Sequence, residues 1–146
     1  MGYTFGVGRE APAFHLNTRD GTSIDLAAYR GDWFPVIVFL PAECEPEVLA
    51  PLSQAADRFW GLRGQLIAVC PESALSGSGP QAGGLSFPLV YDNGSVAASF
   101  GVRIVKGAKR PVSFIIDRAG KIVWTGEGRQ AVDPTVLEAA LRRIAR

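Results

Sequence analysis

Cys44 stands where an apolar run ends, in the phrase Phe39-Leu40-Pro41-Ala42-Glu43-Cys44-Glu45-Pro46-Glu47. A helical pattern begins at once, so the thiol falls at a strand-to-helix junction. A thiol in the first turn of a helix lies near unpaired backbone N–H groups and the positive end of the helix dipole. Both favour thiolate, the form that attacks peroxides and disulfides. Glu43, Glu45 and Glu47 act in the other direction, because a carboxylate within ~4–6 Å disfavours a second negative charge and raises the thiol pKa. The helix end supplies only ~0.3–1 kcal/mol at an exposed site, less than one pKa unit. A single glutamate turned toward the sulfur therefore outweighs it.

Glu47 and Cys70 are the other candidate catalytic groups. Three residues after Cys44, Glu47 shares its helical face and could accept or return a proton. The plainer alternative is a carboxylate that only offsets the dipole. Cys70 ends a second apolar run, Leu66-Ile67-Ala68-Val69, whose strand is expected to run parallel to that of Val36 to Leu40. Sites in such sheets form outside the carboxyl ends of the strands, so both thiols could open on one edge. A direct Cys44–Cys70 disulfide needs Cα atoms within ~7 Å and is not expected. A buried apolar cysteine is the structural alternative for Cys70. His15, the one histidine, falls in a hairpin and reads as a surface or satisfied residue. Trp33, Trp60 and Trp124 read as core or dimer-contact residues. Gly77, Gly79, Gly83 and Gly84 lack the Gly-Lys-Ser/Thr ending of a phosphate loop.

The elements that position these residues follow from pattern. Ala13 to Leu16 and Thr22 to Asp25 flank the turn Thr18-Arg19-Asp20-Gly21 as a hairpin, and Asp25 to Tyr29 allows one helical turn. Pro35 to Leu40 lacks alternation, as a strand buried on both faces does. Val48, Leu49, Leu52, Ala55, Ala56, Phe59 and Trp60 recur at helical spacing, with Pro46 suited to the first turn and Gly61 and Gly64 closing the helix. Pro51 is expected to kink or delay it. Leu66 to Val69 and Phe87 to Tyr91 read as strands, and Ser95 to Phe100 as a short helix. Val112 to Ile116 and Ile122 to Thr125 are strands around the turn Asp117-Arg118-Ala119-Gly120. Asp133-Pro134 caps a last helix with Val136, Leu137, Ala140, Leu141 and Ile144 on one face. Ser73 to Gly84 is a loop by composition. The result is an α/β chain with a central mixed β-sheet flanked by helices.

Composition excludes several classes. The 146 residues suit a single domain, 1–146, large enough for a core without metal or disulfide scaffold. Hydrophobic residues make up 47% and charged residues 20%, as in an ordinary globular protein. A net charge of +1, from 15 basic and 14 acidic residues, gives no reason to expect nucleic acid or a membrane surface as partner. The arginines of the C-terminal cluster, Arg142, Arg143 and Arg146, fit the negative end of a helix dipole. The N-terminus lacks a secretory pattern, and no apolar run approaches the ~20 residues of a membrane span, so a cytoplasmic location is expected. No His/Cys cluster has metal-ligand spacing, and no cofactor is expected.

Local phrases add a resemblance. Gly8-Arg9-Glu10-Ala11-Pro12-Ala13-Phe14-His15-Leu16, then Asp20-Gly21 with Asp25-Leu26, then Tyr29-Arg30-Gly31, occur in the order seen in the peroxiredoxin (AhpC/TSA) branch of the thioredoxin fold. Phe100-Gly101-Val102, Phe114-Ile115-Ile116-Asp117 and Gly120-Lys121-Ile122 continue it, so the resemblance spans roughly Gly8 to Thr125. It implies a thioredoxin-like fold and a thiol-dependent peroxidase or disulfide oxidoreductase. The implied partners are a peroxide or a disulfide and an external thiol reductant, with a homodimer as the assembly. Peroxiredoxins carry Pro, Thr and Cys in a fixed phrase, with a distant Arg, to polarise the peroxide bond. Pro41 matches the Pro. The Thr position holds Glu45, the Cys position Val48, and the Arg position Pro111, with Arg110 adjacent. Against thioredoxin, Cys44-Glu45-Pro46-Glu47 resembles the Cys-X-Pro-Cys motif with Glu47 in place of the second cysteine. Pro111 then matches the cis-proline that faces it. The resemblance thus makes Cys44 a single nucleophile, resolved by an outside thiol or by Cys70, with Pro41, Arg110 and Pro111 on the substrate side. A redox-inactive thioredoxin-fold binding module is the alternative, because fold alone does not license function.

Overall fold

The computed structural model describes residues 7–18, 20–41, 48–72, 85–102 and 110–145. Their strands form one seven-stranded sheet. In chain order these are β1 (His15–Thr18), β2 (Ser23–Asp25), β3 (Phe34–Phe39), β4 (Gly64–Pro71), β5 (Leu89–Asp92), β6 (Val112–Ile116) and β7 (Ile122–Glu127). Across the sheet they lie in the order β2-β1-β5-β4-β3-β6-β7. β3, β4 and β5 are mutually parallel, and the remaining pairings are antiparallel. The parallel strands are buried throughout, which is why their sequences read as unbroken apolar runs rather than alternating ones.

Three α-helices among the described residues pack on the sheet: α1 (Ala50–Gly61), α2 (Ser95–Ser99) and α3 (Pro134–Ile144). Alternation along each strand sends side chains to two separate apolar layers. Val36, Val38, Leu40, Leu66, Ala68 and Cys70 pack with Leu52 and Phe59 of α1 and Leu137 and Leu141 of α3. On the other face Ile37, Phe39, Ile67, Val69 and Phe114 meet Phe14, Leu26, Ala97 and Phe100. Phe100 lies 5.1–6.2 Å, centre to centre, from the rings of Phe14, Phe39 and Phe114. The expected central mixed sheet between helices is therefore present.

Several boundaries differ from the expected ones for identifiable reasons. The hairpin strands start two and one residues later than expected, because Phe14 is used for the core and Leu26 N donates to Phe14 O. The turn itself closes as expected, with Gly21 N donating to Thr18 O at 3.1 Å. α1 begins at Ala50 with Pro51 in its first turn, where a missing N–H costs nothing, so of the two expected effects Pro51 delays the regular helix and does not kink it. Phe87 is buried but precedes β5, since burial and not strand pairing set the apolar run there. Gly64 opens β4 so close to α3 that a Cβ would lie 2.3 Å from Leu141 Cδ2. Asp133 caps α3, accepting from Thr135 N at 2.9 Å. Trp60 is 57% exposed and is not a core residue, while Trp33 and Trp124 are half-buried. His15 is exposed and faces Ser23 Oγ. The loop 73–84 lies outside the described residues.

Candidate functional site at the carboxyl end of the parallel strands

Strand register gathers the candidates that the structure describes. Cys70 of β4 is the partner of Tyr91 on β5. Phe39 of β3 pairs with Val69 on one side and Val112 on the other. One residue further along, Leu40 N donates to Val69 O at 2.8 Å, so Leu40 stands between Cys70 and Pro111. Tyr91, Cys70, Leu40 and Pro111 thus form one row across four adjacent strands, at the carboxyl end of β3. By alternation this row faces the α1 and α3 side, where Leu40, Cys70 and Tyr91 share one apolar cluster. Pro41 follows directly, half-buried. Cys44 and Glu47 lie outside the described residues, in the connection between Pro41 and Val48. The expected parallel pairing of the Cys70 strand with β3 is therefore present, and its carboxyl end is where the chain carrying Cys44 departs.

Each described member has a definite environment. Cys70 has no solvent exposure, as expected for a small apolar residue filling the layer beneath α1. Arg110 is largely exposed and its Nη1 lies 3.9 Å from Glu127 Oε1. Pro111 is half-buried and its carbonyl accepts from Gly128 N at 2.9 Å, which ties the start of β6 to the end of β7. The Arg110–Pro111 peptide bond is trans, since the described residues contain no cis bond. The cis-proline implied by the thioredoxin comparison is therefore not formed here, and Pro111 resembles that proline in chain position alone.

Ser113, Gly126 and Tyr91 at this edge were not singled out from the sequence. Ser113 lies two residues into β6 on the same face as Pro111, fully buried, and its Oγ has no hydrogen-bond partner among the described residues. A serine within Val-Ser-Phe-Ile-Ile gives no signal beyond one polar residue in an apolar strand. Trp124 folds over Gly126, whose partner on β6 is Ser113. A Cβ on Gly126 would lie 2.4 Å from the ring, so the glycine permits this indole position. Tyr91 was read only as the end of a strand; register makes it the neighbour of Cys70.

An apolar cavity lies elsewhere. It holds about 100 Å³ between Ala11, Leu26, Pro35, Ile116 and Gly120, at the amino end of β3. That is the opposite edge of the sheet from Cys70 and Pro111. Among the described residues no group of three His, Cys, Asp or Glu side chains could hold a metal ion. No helix among them is long and apolar enough to cross a membrane.

Comparison with known proteins agrees with this architecture. No curated protein matches the sequence. The peroxidoxin BcpB of Mycobacterium tuberculosis superposes with a TM-score of 0.76 at 24% identity, over 95% of this chain and 97% of that one. Peroxiredoxin Q of Xanthomonas campestris gives 0.74 at 20% identity, over 91% and 92%. A protein assigned as the thiol:disulfide interchange protein DsbE of Chlorobium tepidum gives 0.70 at 21% identity, over 97% of each chain. At these identities the likeness establishes the fold. The sequence model of the AhpC/TSA family matches residues 7–125, from the first described residues into β7, and on that match the chain belongs to the AhpC/TSA family.

Proposed function

We propose that this chain is a thiol-dependent redox protein that uses Cys44 as its single nucleophile. Family membership supports thiol-dependent redox function in general. The observation that carries the finer reading is the row Tyr91-Cys70-Leu40-Pro111, because it puts the exit of β3 toward Cys44 at the edge where a parallel sheet builds its sites.

In the peroxide reaction the Cys44 thiolate attacks one peroxide oxygen. An S–O bond forms as the O–O bond breaks, and the leaving alkoxide takes a proton. Glu47, three residues on, is assigned the return of that proton. The product is a sulfenic acid, which an external thiol converts to a mixed disulfide with release of water. A second thiol then restores Cys44. With a disulfide as substrate, the same thiolate attacks sulfur and expels the other thiolate. Resolution is assigned to the external thiol because Cys70, the internal alternative, is wholly buried. Pro41 and Pro111 border the site, and Arg110 is the cation available to a peroxide oxygen. Such a protein would act as an antioxidant in a cytoplasmic thiol pool, and a homodimer is its expected assembly.

The second reading is a redox-inactive binding module. It is favoured by the engagement of Arg110 with Glu127 and by Glu45 and Val48, which replace the residues of the peroxiredoxin phrase. Trapping of sulfenic acid with dimedone after peroxide treatment decides between them. Modification at Cys44 supports the enzyme; a Cys44 inert to both peroxide and disulfides supports the module.

A further inference from the structure

A second groove, of about 400 Å³, opens beside α1 at the amino end of β4, between Ala56, Asp57, Trp60, Gln65, Ser86 and Pro88. It lies at the far end of the sheet from Cys70 and Pro111. Trp60 is one of two large apolar side chains that are strongly exposed among the described residues. Its indole is nevertheless fixed. The ring meets Trp33 at 5.0 Å between centres, and Nε1 donates to Gln65 Oε1 at 3.2 Å. Gln65 is itself anchored, donating to Leu66 O at 2.9 Å. Asp57 stands one helical turn before Trp60 on the same face of α1. It is exposed and has no hydrogen bond or ion pair among the described residues.

The groove therefore offers a rigid indole and a carboxylate without an ion-pair partner among the described residues, and none of its lining residues is basic. The arginines nearest in sequence each have another partner, and that of Arg63 is the Trp33 ring that packs on Trp60. Arg58 Nε lies 2.7 Å from Glu138 Oε1, and the Arg63 guanidinium lies 5.7 Å from the Trp33 ring centre. We propose that this groove binds an arginine side chain of a partner polypeptide, with its guanidinium on the Trp60 ring and paired with Asp57. Indole is the strongest aromatic acceptor for a cation. A guanidinium is planar and weakly hydrated, and its forked donors suit both the stack and the carboxylate better than a compact ammonium. Ala56 and Pro88 supply apolar wall for the methylene stem. The groove, at about 400 Å³, is larger than a guanidinium, which leaves room for the backbone that carries it.

The test follows the indole N–H signals of the ¹⁵N-labelled full chain during titration with N-acetyl-arginine-N-methylamide. Its citrulline counterpart has the same shape without the charge, and free arginine carries the same head without the blocked backbone. The expected result is a saturable shift of the Trp60 signal with the blocked arginine, no shift of Trp124, and no response to citrulline. Asp57→Asn, a change at an exposed position, should weaken binding roughly fivefold, the effect of an exposed ion pair. An equal response to citrulline, or an unchanged affinity in Asp57→Asn, would overturn the proposal, as would a silent Trp60. Tighter binding of free arginine than of the blocked form would overturn a polypeptide as the occupant.

Discussion

Arg110, just before β6, and Glu127, the last residue of β7, face one another at the candidate site, with Nη1 3.9 Å from Oε1. The pair is solvent-exposed on the arginine side, so it contributes at most a few tenths of a kcal/mol to stability. Its larger effect is on availability: a guanidinium beside a carboxylate is a weaker anchor for a peroxide oxygen. Glu127→Gln is expected to raise the second-order rate of Cys44 oxidation by roughly threefold to tenfold, and Arg110→Ala to lower it by a similar factor. Competition against a peroxidase of known rate measures both. Unchanged rates in both variants would remove Arg110 from the substrate side.

Ser113 is expected to be a cost to the fold. Its Oγ is fully buried with no partner among the described residues, and an unsatisfied buried hydroxyl costs about 1–3 kcal/mol. Ser113→Ala should leave stability unchanged or raise it by up to about 1 kcal/mol in urea unfolding. A clear loss of stability would show that the hydroxyl is not a cost to the fold.

Gly64→Ala should be among the most damaging single-methyl additions. The new Cβ would lie 2.3 Å from Leu141 Cδ2 and 3.2 Å from the Phe59 carbonyl, between β4, α1 and α3. Leu141 has no exposure and little room to move. A loss of about 1–3 kcal/mol is expected in thermal or urea unfolding. A neutral result would mean that α3 packs less tightly on β4 than described.

Glu138 carries the pH dependence that the fold makes visible. Its carboxylate accepts from Arg58 Nε at 2.7 Å and from Arg142 Nη2 at 3.0 Å, tying α3 to α1 and to its own last turn. The hydrogen bond from Arg58, then that from Arg142, holds its pKa below the usual glutamate value. A carboxyl more acidic in the folded chain than in the unfolded one stabilises the fold above the unfolded pKa. That contribution disappears as pH falls through the folded value. Both arginines are more than half exposed, so screening limits the effect to about 0.5–1 kcal/mol. Glu138→Gln should therefore lower stability at pH 7, by a deficit that shrinks as pH falls through the folded pKa of Glu138. A deficit that persists at low pH would point to lost packing instead.

How far the sequence reaches can be judged from these residues. The buried strands β3, β4 and β6 were legible because unbroken apolar runs have few other uses, and Asp133-Pro134 marked the start of α3 unambiguously. The start of α1 was not, since Pro51 allowed either a kink or a delay of the helix, and it lies in the first turn. Trp60 continued an apolar stripe but lies at its rim, where Leu52, Ala55, Ala56 and Phe59 already fill the interface. At the site, Cys70 and the Pro111 region could be named from residue type and family phrase. Their alignment in one row with Tyr91 and Leu40 depends on register, which no local pattern encodes. The Arg110–Glu127 pair and the buried Ser113 hydroxyl depend on it in the same way.

The central claim is tested most directly by locating the reactive thiol. The reduced protein, and beside it Cys70→Ala, would be treated with substoichiometric peroxide in the presence of dimedone and mapped by peptide mass spectrometry. Cys70→Ala removes one small buried atom group and should cost only about 1 kcal/mol, so the variant remains folded. The account predicts dimedone on Cys44 in both proteins and none on Cys70. Modification confined to Cys70, or a Cys44 that stays a free thiol toward peroxide and toward a small disulfide alike, would contradict it.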